Sequence, residues 1–266
     1  MRAALLLAWL LLWAWPARAD EPRPFATHVR VELPLLASGS ALWLVSEGLK
    51  PRLAPAACRW CGGSVFDQAV QQRVRWDDVQ PAARTSDALL FGIVPAFALG
   101  STLGAAYAHG DRRTAHEDVL VLGEALVLTA GLTQLVKYTV ARERPFLRTQ
   151  REHGLRATHG PDDNLSFFSG HTSITFARAV GAGGIASMRG YPQAPWIWAI
   201  GVPLAACTGY LRIAADRHYL TDVLVGALVG SAIGVLLPWL HRHQADDAGT
   251  RAMAAPPGML SMSWLL

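Results

Sequence analysis

Apolar stretches of helical length recur six times along the chain, at roughly 34–50, 87–108, 117–140, 171–188, 195–214 and 219–240, with short polar links between them. A helix needs about 20 residues to cross the hydrocarbon core of a bilayer. Within lipid, only helices and closed barrels satisfy their own backbone polar groups. The second, third, fifth and sixth stretches reach that length. The first, "LPLLASGSALWLVSEGL", is marginal and is expected to pack against the rest or lie in the interface. The fourth carries Arg178 amid glycine and alanine, which argues for a protein-facing surface. The expected fold is therefore all-α, a multi-helix membrane bundle with about five or six transmembrane helices.

Composition agrees. Of 266 residues, 52% are hydrophobic and only 17% charged, too apolar for an average soluble domain. The formal net charge of +4 is not gathered into a basic block, so no nucleic-acid partner is expected; a basic excess at a membrane suits anionic substrates or headgroups. The start, "MRAALLLAWLLLWAWPARAD", has the layout of a secretory signal over residues 1–19, with an uncleaved anchor as the alternative. Residues 20–86 read as an N-terminal helical or interfacial region, 87–240 as the bundle, and 241–266 as a flexible tail. Cys58 and Cys61 form "CRWC"; without a second ligand pair a zinc site is not expected, and in an extracytoplasmic loop a disulfide is the expected state. Cys207 is expected in the core. In the last apolar stretch Gly226, Gly230 and Gly234 share one helix face, permitting close helix–helix approach.

Three charged clusters stand at the ends of these helices. In "KYTVARERP" Lys137 and Arg144 are seven apart, two helical turns on one face, before Pro145 stops the helix. An ammonium and a guanidinium together suit an oxyanion, although a basic helix end also suits the helix dipole and lipid headgroups. In "SFFSGHTS" Ser169 reads as an N-cap, Gly170 permits close backbone approach, and His171 on the first turn is placed to donate a proton; an ordinary capping motif is the plain alternative. In "RIAADRHYLTD" His218 and Asp222 are four apart, so a carboxylate bonded to one imidazole nitrogen would leave the other free to attack, with Arg212 upstream to hold the same anion. A bland surface pair is the alternative. If the helices alternate in direction, all three clusters lie on one membrane face.

Together the clusters resemble the signature of the type 2 phosphatidic acid phosphatase and vanadium haloperoxidase superfamily: Lys-x6-Arg-Pro, Pro-Ser-Gly-His and Ser-Arg-x5-His-x3-Asp. Order and spacing match, with Phe168 in place of the proline and Leu211 in place of the serine. The resemblance implies the bundle of that superfamily, and a membrane lipid phosphatase hydrolysing a phosphate or pyrophosphate monoester. His218 would attack phosphorus, Asp222 would orient it, and His171 would protonate the leaving group. Lys137, Arg144 and Arg212, with backbone amides at Ser169 and Gly170, would bind the phosphoryl oxygens. No metal and no cofactor is expected, and Asp77, Asp78, Asp162 and Asp163 read as solvated loop acids. The expected partners are a lipid phosphate substrate and membrane lipids. The alternatives are a soluble periplasmic acid phosphatase, a vanadate-dependent haloperoxidase and a non-enzymatic scaffold. The expected location is a bacterial inner membrane with the site on the extracytoplasmic side, provided that 34–50 does not span.

Overall fold

A computed structural model describes residues 25–109, 112–154 and 160–254, with side chains through 246; the leader-like stretch 1–19 and the end of the tail lie outside the described residues. The chain is helical. The elements are α1 (Val29–Gly48), α2 (Lys50–Leu53), α3 (Val65–Val74), α4 (Val79–Ala88), a π turn (Leu89–Ile93), α5 (Val94–His109), α6 (Arg112–Val140), α7 (Pro145–Glu152), α8 (Gly170–Arg189), α9 (Ala194–Ala214) and α10 (Leu220–Ala254).

Among the described residues, five spans are long and apolar enough to cross a membrane: Val29–Gly48, Val79–His109, Arg112–Val140, Ala194–Ala214 and Leu220–Asp246. Their outer faces expose Leu42, Leu44, Phe91, Leu128, Leu135, Leu224 and Leu228, an apolar belt that water would penalise and lipid would not. The protein is thus a multi-pass membrane protein. The first apolar stretch, marginal by sequence, forms a 20-residue helix. The span that begins near 87 by sequence starts earlier, at Val79, where Asp78 caps α4 by accepting from Gln80 N at 3.0 Å.

Helix α8 runs through the middle of the bundle, touching α5, α6, α9 and α10. Its composition explains this position, because Ala177, Gly181, Gly184 and their neighbours let other backbones approach. Gly230 and Gly234 of α10 lie against the Ser173 and Ala177 carbonyls; a Cβ at Gly234 would come within 2.9 Å of Ala177 O. The fourfold glycine spacing is therefore a packing face. Gly190, at φ +80°, closes α8 in the left-handed conformation that a C-cap requires. Arg178 faces protein, as its surroundings in sequence imply, and its Nη1 donates to Leu90 O in the π turn at 2.7 Å. Cys207, expected in the core, is exposed on α9; its helix turns that side outward, where a small apolar thiol is tolerated.

Candidate active site

The three clusters converge. Lys137, Arg144, Gly170, His171, Arg212 and His218 line one cavity of about 540 Å³. It lies where α6, α8 and α9 end or begin on the same face as the C-terminal end of α1.

Helix α6 supplies Lys137 but not Arg144. It stops at Val140 because Ala141 adopts φ +50°, so the two cations do not sit on one continuous helix face. Arg144 lies in an extended segment that precedes Pro145, the first residue of α7. The turn at Ala141, rather than helical periodicity, brings Arg144 back over the cavity. A Cβ added at Gly170 would lie 3.4 Å from Lys137 Nζ, so the ammonium rests over the start of α8. Arg144 and Arg212 are buried, and the Nε atom of each lacks a hydrogen-bond partner. Unpaired buried guanidinium donors are costly, and an anion in the cavity would relieve both.

His218 is 1% exposed. Its Nδ1 lies 2.8 Å from Ser166 O and 3.7 Å from Asp222 Oδ2. The hydrogen bond that fixes the tautomer therefore goes to a backbone carbonyl, and Asp222 acts at one remove. Asp222 Oδ2 accepts from Ser166 Oγ at 2.6 Å and from Tyr219 N at 2.9 Å, holding both sides of the loop that carries His218. With Nδ1 protonated and bonded to Ser166 O, Nε2 keeps its lone pair. Burial holds His218 well below its ordinary pKa, and the positive charges of Arg144, Arg212 and Lys137 add to the shift.

Behind it lies a pair the sequence reading did not single out. Arg142, fully buried, donates from Nη1 to Asp222 Oδ1 at 2.5 Å and from Nη2 to Asp67 Oδ2 at 2.7 Å. Its guanidinium lies 3.9 Å from the Trp60 ring centroid and 4.5 Å from that of Tyr219. Burial raises the Asp67 carboxyl pKa, but hydrogen bonds from Thr221 and Arg142 outweigh it and hold the group below its usual value. Trp60 belongs to "CRWC"; Cys58 and Cys61 are joined by a disulfide, and this loop pairs with the segment around Arg142 through Arg59 N and Glu143 N.

His171 Nε2 lies 2.7 Å from Asp87 Oδ1. Asp87 belongs to α4, outside the family signature, and carries no sequence mark that separates it from other acids. Arg212 Nη1 reaches Ser86 Oγ at 3.1 Å and Asp87 Oδ1 at 3.5 Å. Ser169 caps α8 by position only: its N donates to Asp222 O and its Oγ accepts from Thr172 Oγ1. The free amides at the start of α8 are those of the first turn itself, beginning with Gly170. Asp162 and Asp163 are not simply solvated. Asp162 lines the cavity, 3.3 Å from Lys50 and 3.6 Å from Arg144, while Asp163 is 7% exposed and accepts from Gly160 N. Burial raises the Asp162 pKa, yet Arg144 and Lys50 hold it below the usual carboxylate range.

An imidazole in one cavity with two guanidinium groups whose Nε donors are unpaired, an ammonium and a helix N-terminus is an arrangement that can hold an oxyanion. Residues 118–246, which contain all three clusters, match the model of the PAP2 superfamily. A lipid A 1-phosphatase of Porphyromonas gingivalis is 32% identical over 115 residues, 43% of this chain and 22% of that protein. An undecaprenyl-diphosphatase of Sulfolobus acidocaldarius is 30% identical over 112 residues, 42% of this chain and 50% of that one. The chain thus matches half or less of the length of these curated relatives. Among solved structures, Aquifex aeolicus LpxE has a TM-score of 0.47 at 23% identity, covering 65% of this chain and 95% of that one. The PAP2-type phosphatidylglycerolphosphate phosphatase of Bacillus subtilis has a TM-score of 0.49 at 15% identity, covering 80% and 96%.

Proposed function

We propose that this protein is a membrane phosphatase that hydrolyses a lipid phosphate or pyrophosphate monoester through a phosphohistidine at His218. The observation that carries the reading is the placement of His218, its Nδ1 bonded to Ser166 O, in a cavity shared with Lys137, Arg144 and Arg212. Nε2 attacks phosphorus as the leaving oxygen departs. Charge on the equatorial oxygens is met by the two arginines, the lysine and the first amides of α8, which are in place before the reaction begins. The imidazolium formed in the intermediate is stabilised by Asp222 at 3.7 Å. His171 protonates the leaving oxygen and then takes a proton from the water that releases phosphate. Asp87 holds one nitrogen of that ring and so fixes its orientation.

The lining of the cavity supports a lipid substrate. Its wall away from the cations is formed by Trp43 and Leu44 of α1, Leu126 and Val127 of α6, and Ile174 of α8. An acyl or prenyl chain fits that wall, and its phosphate then meets the cations. The apolar belt argues against a soluble phosphatase, and this hydrocarbon wall favours lipid esters over halide oxidation.

We place the site on the extracytoplasmic side of a bacterial inner membrane. The Cys58–Cys61 disulfide lies on the site face, and disulfides persist in oxidising compartments.

The test is phosphate release from a panel of lipid phosphates and pyrophosphates, without added metal, by the wild type, His218→Ala and His171→Ala. Loss of turnover in both variants is expected; turnover that needs metal and ignores both changes overturns the reading.

A further inference from the structure

A second polar cluster lies away from the catalytic face. Glu32 of α1, Glu124 of α6 and His241 of α10 bring one carboxylate oxygen each and a ring nitrogen within 4.8 Å of one another. Glu124 is 13 residues before Lys137 on α6, roughly 20 Å along the helix at 1.5 Å per residue. The cluster is therefore remote from the phosphoryl chemistry.

With a neutral imidazole its hydrogen bonding does not close. His241 Nδ1 lies 2.5 Å from Ala26 O, and Nε2 lies 2.7 Å from Glu124 Oε2. A proton on Nδ1, donated to the carbonyl, leaves a lone pair on Nε2 facing a carboxylate oxygen. Two acceptors at that distance need a positive species between or beside them. Glu32 is 6% exposed; its Oε1 accepts from His28 N at 2.7 Å, while Oε2 is buried without a partner. Among the described residues, the ion pair formed by Glu32 or Glu124 is the one with His241. A buried Glu32 and a half-buried Glu124 thus share one place, and a proton on His241 pairs Glu124 but leaves Glu32 Oε2 without a partner, a costly arrangement.

We propose that Glu32, Glu124 and His241 bind a divalent transition-metal ion of the zinc class. Zinc accepts imidazole nitrogen and carboxylate oxygen at about 2.0–2.2 Å, which sets donors roughly 3.4 Å apart in a tetrahedron, inside the observed spread. An imidazole whose other nitrogen donates to a backbone carbonyl has the arrangement usual for a metal-bound histidine. The ion joins the start of α1 to α6 and to the second half of α10, and Ala26 N already donates to His241 O at 3.0 Å. Its role is to fasten the amino-terminal helix to the bundle. The inference does not depend on the phosphatase reading.

The whole protein, purified in detergent, stripped with chelator, exposed to zinc chloride and desalted, is expected to retain one zinc per chain by elemental mass spectrometry. Glu32→Gln, which keeps the shape and removes one buried charge, is expected to weaken zinc affinity at least tenfold, to lose the zinc-dependent rise in unfolding temperature, and to keep its elution profile. A Cys58→Ser/Cys61→Ser double variant is expected to retain the zinc, which separates this cluster from the one formed by those cysteines and Glu143. Wild type that retains no zinc, or Glu32→Gln that retains as much as wild type, overturns the proposal; the first result would assign a proton to the cluster.

Discussion

Arg142 Nη1 donates to Asp222 Oδ1 across 2.5 Å, and both side chains are completely buried. Because Asp222 also holds Ser166 and Tyr219, Arg142 supports the loop that presents His218. Replacing it with alanine leaves Asp67 and Asp222 as buried unpaired carboxylates, a change that costs about 3–5 kcal/mol. Arg142→Ala is expected to lower the unfolding temperature in detergent sharply. Arg142→Lys, which keeps the charge but loses the fork, is expected to stay folded with kcat reduced at least about tenfold.

The depressed pKa of His218 has a pH consequence with a definite sign. Between that depressed value and the ordinary 6.5, the unfolded chain binds a proton that the folded chain refuses. Stability therefore falls as pH drops below about 6.5, by up to about 1.4 kcal/mol per pH unit, and is unaffected above it. Thermal unfolding of wild type and His218→Asn between pH 5 and 7.5 is expected to show a shallower acid-side slope for the variant. A bound phosphate analogue, by offsetting the cations, is expected to flatten the wild-type slope.

A Cβ at Gly226 would lie 2.8 Å from Ser169 O, the carbonyl that opens the catalytic helix α8. Gly226→Ala forces α8 and α10 apart at that point, and overpacking of this kind costs roughly 1–3 kcal/mol. The displacement falls beside Gly170 and His171, so kcat is expected to drop with stability. Gly104→Ala, where no atom lies within 4 Å of the added Cβ, is expected to leave both intact.

The assignment of His171 as the proton donor predicts a dependence on the leaving group. With an alkyl phosphate, His171→Ala is expected to lower kcat by about 10²–10⁴. With an aryl phosphate whose phenolate leaves without a proton, the loss is expected to be much smaller. His218→Ala is expected to lose both activities alike.

Ser40 of α1 lines the cavity beside its hydrocarbon wall. Ser40→Phe is expected to lower kcat/KM for a long-chain lipid phosphate far more than for a water-soluble short-chain ester, and a substrate series of increasing chain length measures the ratio.

The sequence made the helices and the cations legible for different reasons. Long apolar runs report on lipid contact directly, and the glycine spacing at 226, 230 and 234 reports on packing, so the bundle and its central contact could be read one residue at a time. Spacing marks Lys137, Arg144, Arg212 and His218, but Lys137 and Arg144 do not share a helix face, because Ala141 breaks the helix between them. The spacing encodes a helix end followed by a turn, which periodicity alone does not separate from two more helical turns. Ser166 was invisible because it acts on His218 through its backbone carbonyl, which every residue has. Asp87, Arg142 and Asp67 depend on contacts 75 or more residues apart in the chain, and no local pattern marks them. Leu211 stands where the family pattern has serine; it is buried beside Ala82 and Ala83, and the Arg212 guanidinium takes its hydroxyl partner from Ser86 instead.

The most direct test is capture of the covalent intermediate. A substrate labelled with ³²P in the scissile phosphate, mixed with enzyme and quenched in alkaline denaturant, is expected to leave an acid-labile, alkali-stable label on the wild type. The labelled peptide is expected to contain His218, and His218→Ala is expected to carry no label. An active enzyme whose turnover survives in His218→Ala, or whose label maps to another residue, would contradict the account.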